Sequence, residues 1–332
     1  MRTLSTLAIF ILMSVSTQSQ TLPAPPAITD PKLVTSKPNA QVEPSLSIEK
    51  LYMTRAIGET DWSPDGKTIV FVSNMSGRNN LWLVPAAGGW PTQLTISDQR
   101  QSSPAWSPDG KWIVFQSDYN GDEQWDIFMV SPKTGQVVNL TNTRTIAEQG
   151  PTWSPDSRYL AYIVKPKTSS VYEIDVFDKV LRETKHLTSG TSADKMNVGP
   201  IWSRDGKWIA YTQEQAKGTD SNIFVAEVET GKTTLLTPHE GEQLLRANDF
   251  SPDGKSLLIT SNAANGYENV ALLEIASKKI TWLTRDKWEI AGGNYSPDGK
   301  QVTWTANVDG NSQIYLHDIL TKKTSALPLP VG

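Results

Sequence analysis

Cysteine is absent from the 332 residues. That removes a disulfide frame, a thiolate nucleophile, a thiolate metal site and a lipidated N-terminal cysteine. Histidine is scarce, with only His186, His239 and His317. No two of them stand at ligand spacing, so no histidine-held metal site can be assembled from the sequence. No G-x-S-x-G elbow occurs, which leaves nucleophilic catalysis without its usual local signature. Basic residues are scattered rather than striped, and the net charge is −4 with a pI near 5.5. Both speak against a nucleic-acid surface. Long apolar runs are missing beyond the N-terminus, and the mean hydropathy is −0.37. No metal and no cofactor is therefore expected.

What the chain does have is one motif, repeated. Asp61-Trp62-Ser63-Pro64-Asp65-Gly66-Lys67 returns as Ala105-Trp106-Ser107-Pro108-Asp109-Gly110-Lys111 and then four more times with small changes. Each copy sets an aromatic strand residue before a tight turn. Pro fixes φ, Asp accepts nearby backbone N–H bonds, and Gly takes the left-handed conformation. An apolar strand follows, so one copy is a hairpin signal. The aromatic falls at Trp62, Trp106, Trp153, Trp202, Phe250 and Tyr295, in steps of roughly 44 to 49 residues, the spacing of four-stranded propeller blades.

Within a step the order of elements repeats. In the second copy Ser103 to Ser107, Lys111 to Ser117, Trp125 to Val130 and Gln136 to Leu140 read as four strands. Turns at Pro108-Asp109-Gly110, Asn120-Gly121 and Thr134-Gly135 separate them. A Leu-Thr pair closes five copies, from Leu94-Thr95 to Leu283-Thr284, whereas the sixth ends Ala326-Leu327-Pro328. Ser157 stands where Gly is expected and Arg204 where Pro is expected, which predicts two less ideal turns. The expected fold is all-β, a six-bladed β-propeller of four-stranded antiparallel blades over residues 46–332. Pro64, Asp65, Gly66, Pro108, Asp109, Gly110, Asp253, Gly254, Asp298 and Gly299 read as structural turn residues. The twelve Trp are explained mainly by packing between blades.

Residues 1–20 begin with Arg2, run through Leu7 to Met13 and end in small polar residues. This reads as a signal peptide, with an apolar core too short to span a bilayer; an uncleaved anchor is the alternative. Either implies export, to the periplasm or beyond; removal of a signal peptide would leave no membrane span. Residues 21–45 carry six prolines and few apolar residues, a linker. Leu46 to Tyr52 reads as a strand or short helical lead-in able to help close the ring.

In a propeller the blade-to-blade loops share one face with the turns between second and third strands, and the Pro-Asp-Gly turns lie on the other. The repetitive face reads as scaffold. The variable face is where binding is expected. Its loops supply Arg100, Arg144, Glu148, Lys195, Glu242, Arg246 and Glu289, with Trp288 as an aromatic platform. Such a mixed ring can hold a peptide or protein segment by charge-assisted hydrogen bonds, or be an ordinary solvated rim. His186 and His317 fall in strand patterns. His239 lies in a loop with Glu240 and Glu242 but has no identifiable serine partner. Asp118-Tyr119-Asn120-Gly121-Asp122 resembles the start of a calcium loop, yet Glu123 replaces the sixth-position Gly and Met129 the bidentate Glu. A hairpin turn explains it better.

These repeats resemble those of TolB-like propellers over nearly all of residues 55–327. Asn80-Leu81-Trp82-Leu83-Val84-Pro85, Gly88-Gly89-Trp90-Pro91, Asp122-Glu123-Gln124-Trp125-Asp126-Ile127 and Asp286-Lys287-Trp288-Glu289 add a closer likeness. It is to the N-terminal propeller of exported prolyl oligopeptidase and dipeptidyl peptidase-type serine peptidases. That resemblance implies a domain that gates peptides, with the catalytic groups in an α/β-hydrolase domain that these 332 residues do not contain. No catalytic residue carries over, and Asp122-Glu123 is the candidate for an acidic pair gripping a substrate. The sequence thus supports an exported non-catalytic propeller that binds a peptide or protein at its channel mouth. The alternative is the gating part of a serine peptidase whose hydrolase domain lies elsewhere.

Overall fold

The six turns close in the same way at atomic detail in a computed structural model, which describes residues 53–328. The signal-peptide, linker and lead-in assignments (1–20, 21–45 and 46–52) lie outside the described residues. In the first turn the Ser63 hydroxyl donates to Asp65 Oδ1 at 2.7 Å and accepts from the Thr68 amide at 2.9 Å. The Lys67 amide donates to the same carboxylate oxygen at 3.1 Å, and Gly66 sits at φ +69°. The same Ser-to-Asp bond recurs from Ser107, Ser154, Ser203, Ser251 and Ser296. These bonds hold most of the turn carboxylates below their ordinary range, and Asp298 at about 2.

Each turn joins the first and second strands of a four-stranded antiparallel sheet whose strands follow in chain order. The first strands are Ile57–Trp62, Gln101–Trp106, Ile146–Trp153, Lys195–Trp202, Leu245–Phe250 and Ile290–Ala291. The second blade has strands Ile113–Ser117, Asp126–Val130 and Val137–Asn139, within a residue or two of their expected spans. The molecule is a six-bladed, all-β propeller.

Blades stack because alternate residues of the second strand point to opposite neighbours. Ile113 and Phe115 pack toward blade one with Val70, Val72 and Leu81. Val114, between them, packs toward blade three with Leu160, Tyr162 and Trp153. Each fully buried aliphatic or aromatic side chain contributes about 1.5–3 kcal/mol. Polar bonds cross the same seams: Asp61 Oδ2 accepts from the Trp106 amide at 2.6 Å, and Trp153 Nε1 donates to the Ala105 carbonyl at 3.1 Å. Among the described residues, five apolar clusters join the six blades in succession, and none joins the sixth to the first. Trp62, whose counterparts Trp153 and Trp202 are buried, is 56% exposed.

Both departures from the turn consensus are accompanied by a bond to a neighbouring blade. Ser157 adopts φ +61° in place of Gly, and its hydroxyl accepts from the Asp109 amide of blade two at 2.9 Å. Arg204 reaches Asp249 of blade five at 3.4 Å. The turns keep their own Ser-to-Asp bonds, at 2.6 and 2.7 Å. The closing threonines have an equally specific task. Thr95, Thr141, Thr188, Thr237 and Thr284 each accept, through Oγ1, the amide of a third-strand residue fourteen positions back, at 2.8 to 3.0 Å. The sixth copy has Pro328 there, which carries no hydroxyl.

Candidate functional site

Antiparallel register places the start of every first strand beside the end of the second, as in Gln101 opposite Ser117. The blade-to-blade loop therefore meets the turn between second and third strands. Arg100 NH2 stands 3.3 Å from Asp118 Oδ2, with its guanidinium carbon 4.4 Å from the centre of the Trp125 ring. Arg144, exposed, stacks at 5.2 Å over Tyr119 of the same turn. Thr219 Oγ1 donates to Glu242 at 3.0 Å, and Glu289 accepts from the Glu268 amide at 2.9 Å.

Two of the eight candidate residues sit differently from free loop groups. Glu148 is the third residue of a first strand and only 3% exposed. Its amide donates to the Trp125 carbonyl, and its carboxyl accepts from Thr143 Oγ1 at 2.7 Å. Burial pushes its pKa up to about 8, with Asp126 and Asp175 adding repulsion. Arg246 bonds two carboxylates, Glu214 at 3.2 Å from blade four and Glu268 from its own blade. Desolvation opposes this, but the two anions still keep the guanidinium more firmly protonated. Lys195 opens the first strand of blade four and lines a hollow with Asn197, Thr191 and Tyr211. Trp288 is half-buried, with Lys287 Nζ 5.4 Å from its ring centre.

Most of these loop residues thus pair locally with the adjacent turn or strand. Arg100, Arg144 and Lys195 line three different hollows. Arg246 and Glu289 are linked through Glu268. Glu214 and Glu268 carry no mark in the sequence, and Asp118 and Gln124 stand there only within a turn and a family-like stretch. The only available signal was their place in turns or strand ends that the register brings to the loop face.

The histidines are all engaged. His186 Nδ1 lies 2.7 Å from Asp175, His317 Nδ1 lies 2.9 Å from Thr324 Oγ1, and His239 spans Asp220 at 2.8 Å and the Thr237 carbonyl at 2.9 Å. None of these bonds goes to a serine. Among the described residues no group of three or more His, Asp or Glu could hold a metal ion. Asp118 to Asp122 is a hairpin turn, with Asn120 and Gly121 at positive φ and Asp122 Oδ1 accepting from the Gln124 amide at 3.0 Å. Among the same residues no helix is long and apolar enough to cross a membrane.

Comparison with known proteins agrees with this architecture. The family model of the TolB β-propeller domain matches residues 48–200 and 160–328. The Tol-Pal system protein TolB of Francisella tularensis subsp. holarctica is 29% identical over 155 residues, 46% of this chain and 32% of that protein. The matched stretch thus spans about a third of that relative. Among solved structures, TolB from Acinetobacter baumannii superposes with a TM-score of 0.56 at 20% identity, covering 84% of this chain and 64% of that one. A prolyl endopeptidase superposes at 0.67 with 14% identity, covering 85% and 44%. These two structural likenesses show the fold alone. With six blades each built on the same Ser-Asp turn and a family match running from residue 48 to 328, the chain belongs to the TolB β-propeller family.

Proposed function

We propose that this protein is an exported, non-catalytic propeller that holds a peptide or protein segment on the face carrying its blade-to-blade loops. One observation carries the reading. The Pro-Asp-Gly face repeats the same internal hydrogen bonds six times, while the opposite face changes charge and shape from seam to seam. Repetition of that kind serves the scaffold; variation on a rigid frame serves recognition. Similarity to a protein named for the Tol-Pal system supports a partner that is itself a protein. The N-terminal sequence supports export.

Lys195 and Trp288 are the contacts to test first, because Arg246 is committed to Glu214 and Glu268 and Glu148 is buried. The immobilised protein is expected to capture a partner from a periplasmic extract. Trp288→Ala and Lys195→Ala should each weaken that partner's binding about fivefold to thirtyfold, the range of a moderate hot spot. Binding unchanged in both variants would remove the loop face from the proposal. Hydrolysis of prolyl peptides by this chain alone would contradict both this reading and the gating-domain alternative.

A further inference from the structure

Blade two carries a cavity of about 420 Å³ on its loop side, with a chemistry unlike the rest of that face. Phe115 and Phe128, stacked at 5.5 Å between ring centres, form an apolar part of its wall, and Val137 lies in the lining, 46% exposed. Asp118, Asp122 and Asp126 line it as well, against the single lining cation Arg144.

Two of its lining residues each carry a buried acceptor atom without a partner. Asp118 is 3% exposed; its Oδ2 takes Arg100, but its Oδ1 is buried and accepts nothing, and the same holds for Gln124 Oε1. By contrast Asp126 is satisfied by Asn139 and the Thr143 amide, both at 2.8 Å. A buried acceptor without a donor is costly and rare. Both orphans are acceptors, so a matching ligand must donate. With Asp118 paired to Arg100, Asp122 and Asp126 still outnumber Arg144 in the lining and disfavour an anion. A purely apolar ligand would leave both acceptors unmet.

We propose that this cavity is a subsite for a primary ammonium or guanidinium group at the end of an aliphatic chain, as in lysine, arginine or a free diamine. The ammonium brings three donors and a charge to Asp118 Oδ1 and Gln124 Oε1, and the methylene stem lies along Phe128 and Val137. For the peptide source, the inference rests on the binding function proposed above; for the free amine it does not.

Calorimetric titration of the full-length protein with cadaverine and with acetyl-Ala-Lys-Ala-amide tests it, with the Nε-acetylated peptide as control. Saturable binding of either amine probe, at least tenfold tighter than the control, is expected. Binding of both probes makes the cation itself the determinant, binding of the peptide alone points to a side chain presented on a backbone, and binding of cadaverine alone points to a free amine. Asp118→Asn should weaken binding at least tenfold. That change also disturbs Arg100, so Val137→Lys, which places the protein's own ammonium at the cavity, gives a second reading with the same expected loss. Failure of both amine probes, equal binding of the acetylated peptide, or wild-type affinity in both variants overturns the subsite. Partner capture by the loop face with no amine binding would overturn the subsite alone. Amine binding without partner capture would leave the subsite standing and count against the broader function.

Discussion

At the scale of single residues, Glu148 sets a pH dependence with a definite sign. Its folded pKa is raised to about 8 by burial, so between the ordinary carboxylate range and about pH 8 the folded state holds a proton that the unfolded state has released. Stability from this group is therefore full below that range and is lost as pH rises toward about 8. Glu148→Gln keeps the shape and removes the titration. The variant should match the wild type near pH 5 and exceed it at about pH 9, by on the order of a few kcal/mol. Urea denaturation at the two pH values measures this, and parallel pH profiles for the two proteins would refute it. The turn aspartates act in the opposite sense, since their lowered pKa values withdraw stability only in acid. Glu148 also shows a limit of sequence reading. Its place among loop residues suggested an exposed group, but the first strand of blade three begins at Ile146, and no pattern in the local sequence marks that earlier start.

At the scale of elements, the turns and strands were almost wholly legible, because Pro, Asp and Gly act within four residues and strand alternation within six. The threonine clamps were visible only as a recurring Leu-Thr pair. Their partner lies fourteen residues back, and only the folded blade shows that the hydroxyl accepts a strand amide. The sixth blade, with Pro328, lacks this bond. Hydrogen exchange at Ile314, the third-strand residue whose carbonyl accepts from Leu327, should be faster than at Leu81, Ile127, Ile174, Ile223 and Val270, by about tenfold for each 1.4 kcal/mol of lost protection. Equal protection at all six amides would mean that the clamp adds nothing measurable. The cavity of blade two was illegible for a related reason. Asp118 reads as the start of a hairpin turn and Gln124 only as part of a family-like stretch, and only the folded structure shows that each keeps an acceptor without a donor.

At the scale of the whole molecule, the blade number was legible from spacing, but the way the blades are joined was not. Five apolar clusters serve six blades among the described residues, and equivalent tryptophans therefore do unequal work. Trp153, 8% exposed between blades two and three, should cost about 3–5 kcal/mol when replaced by Ala. Trp62, more than half exposed, should cost about 1 kcal/mol or less. Thermal unfolding of Trp62→Ala and Trp153→Ala compares them directly. Equal losses would show that the outer face of blade one is covered in solution.

The absence of a sixth cluster among the described residues bears on how those blades meet mechanical load. A closed ring pulled from both termini must first break its clasp, and that single rupture governs everything after it. Among the described residues the apolar clusters join the six blades only in succession and supply no such clasp. Tension reaches the terminal sheets first, each can peel from its neighbour without disturbing the far end, and the extension advances one blade at a time.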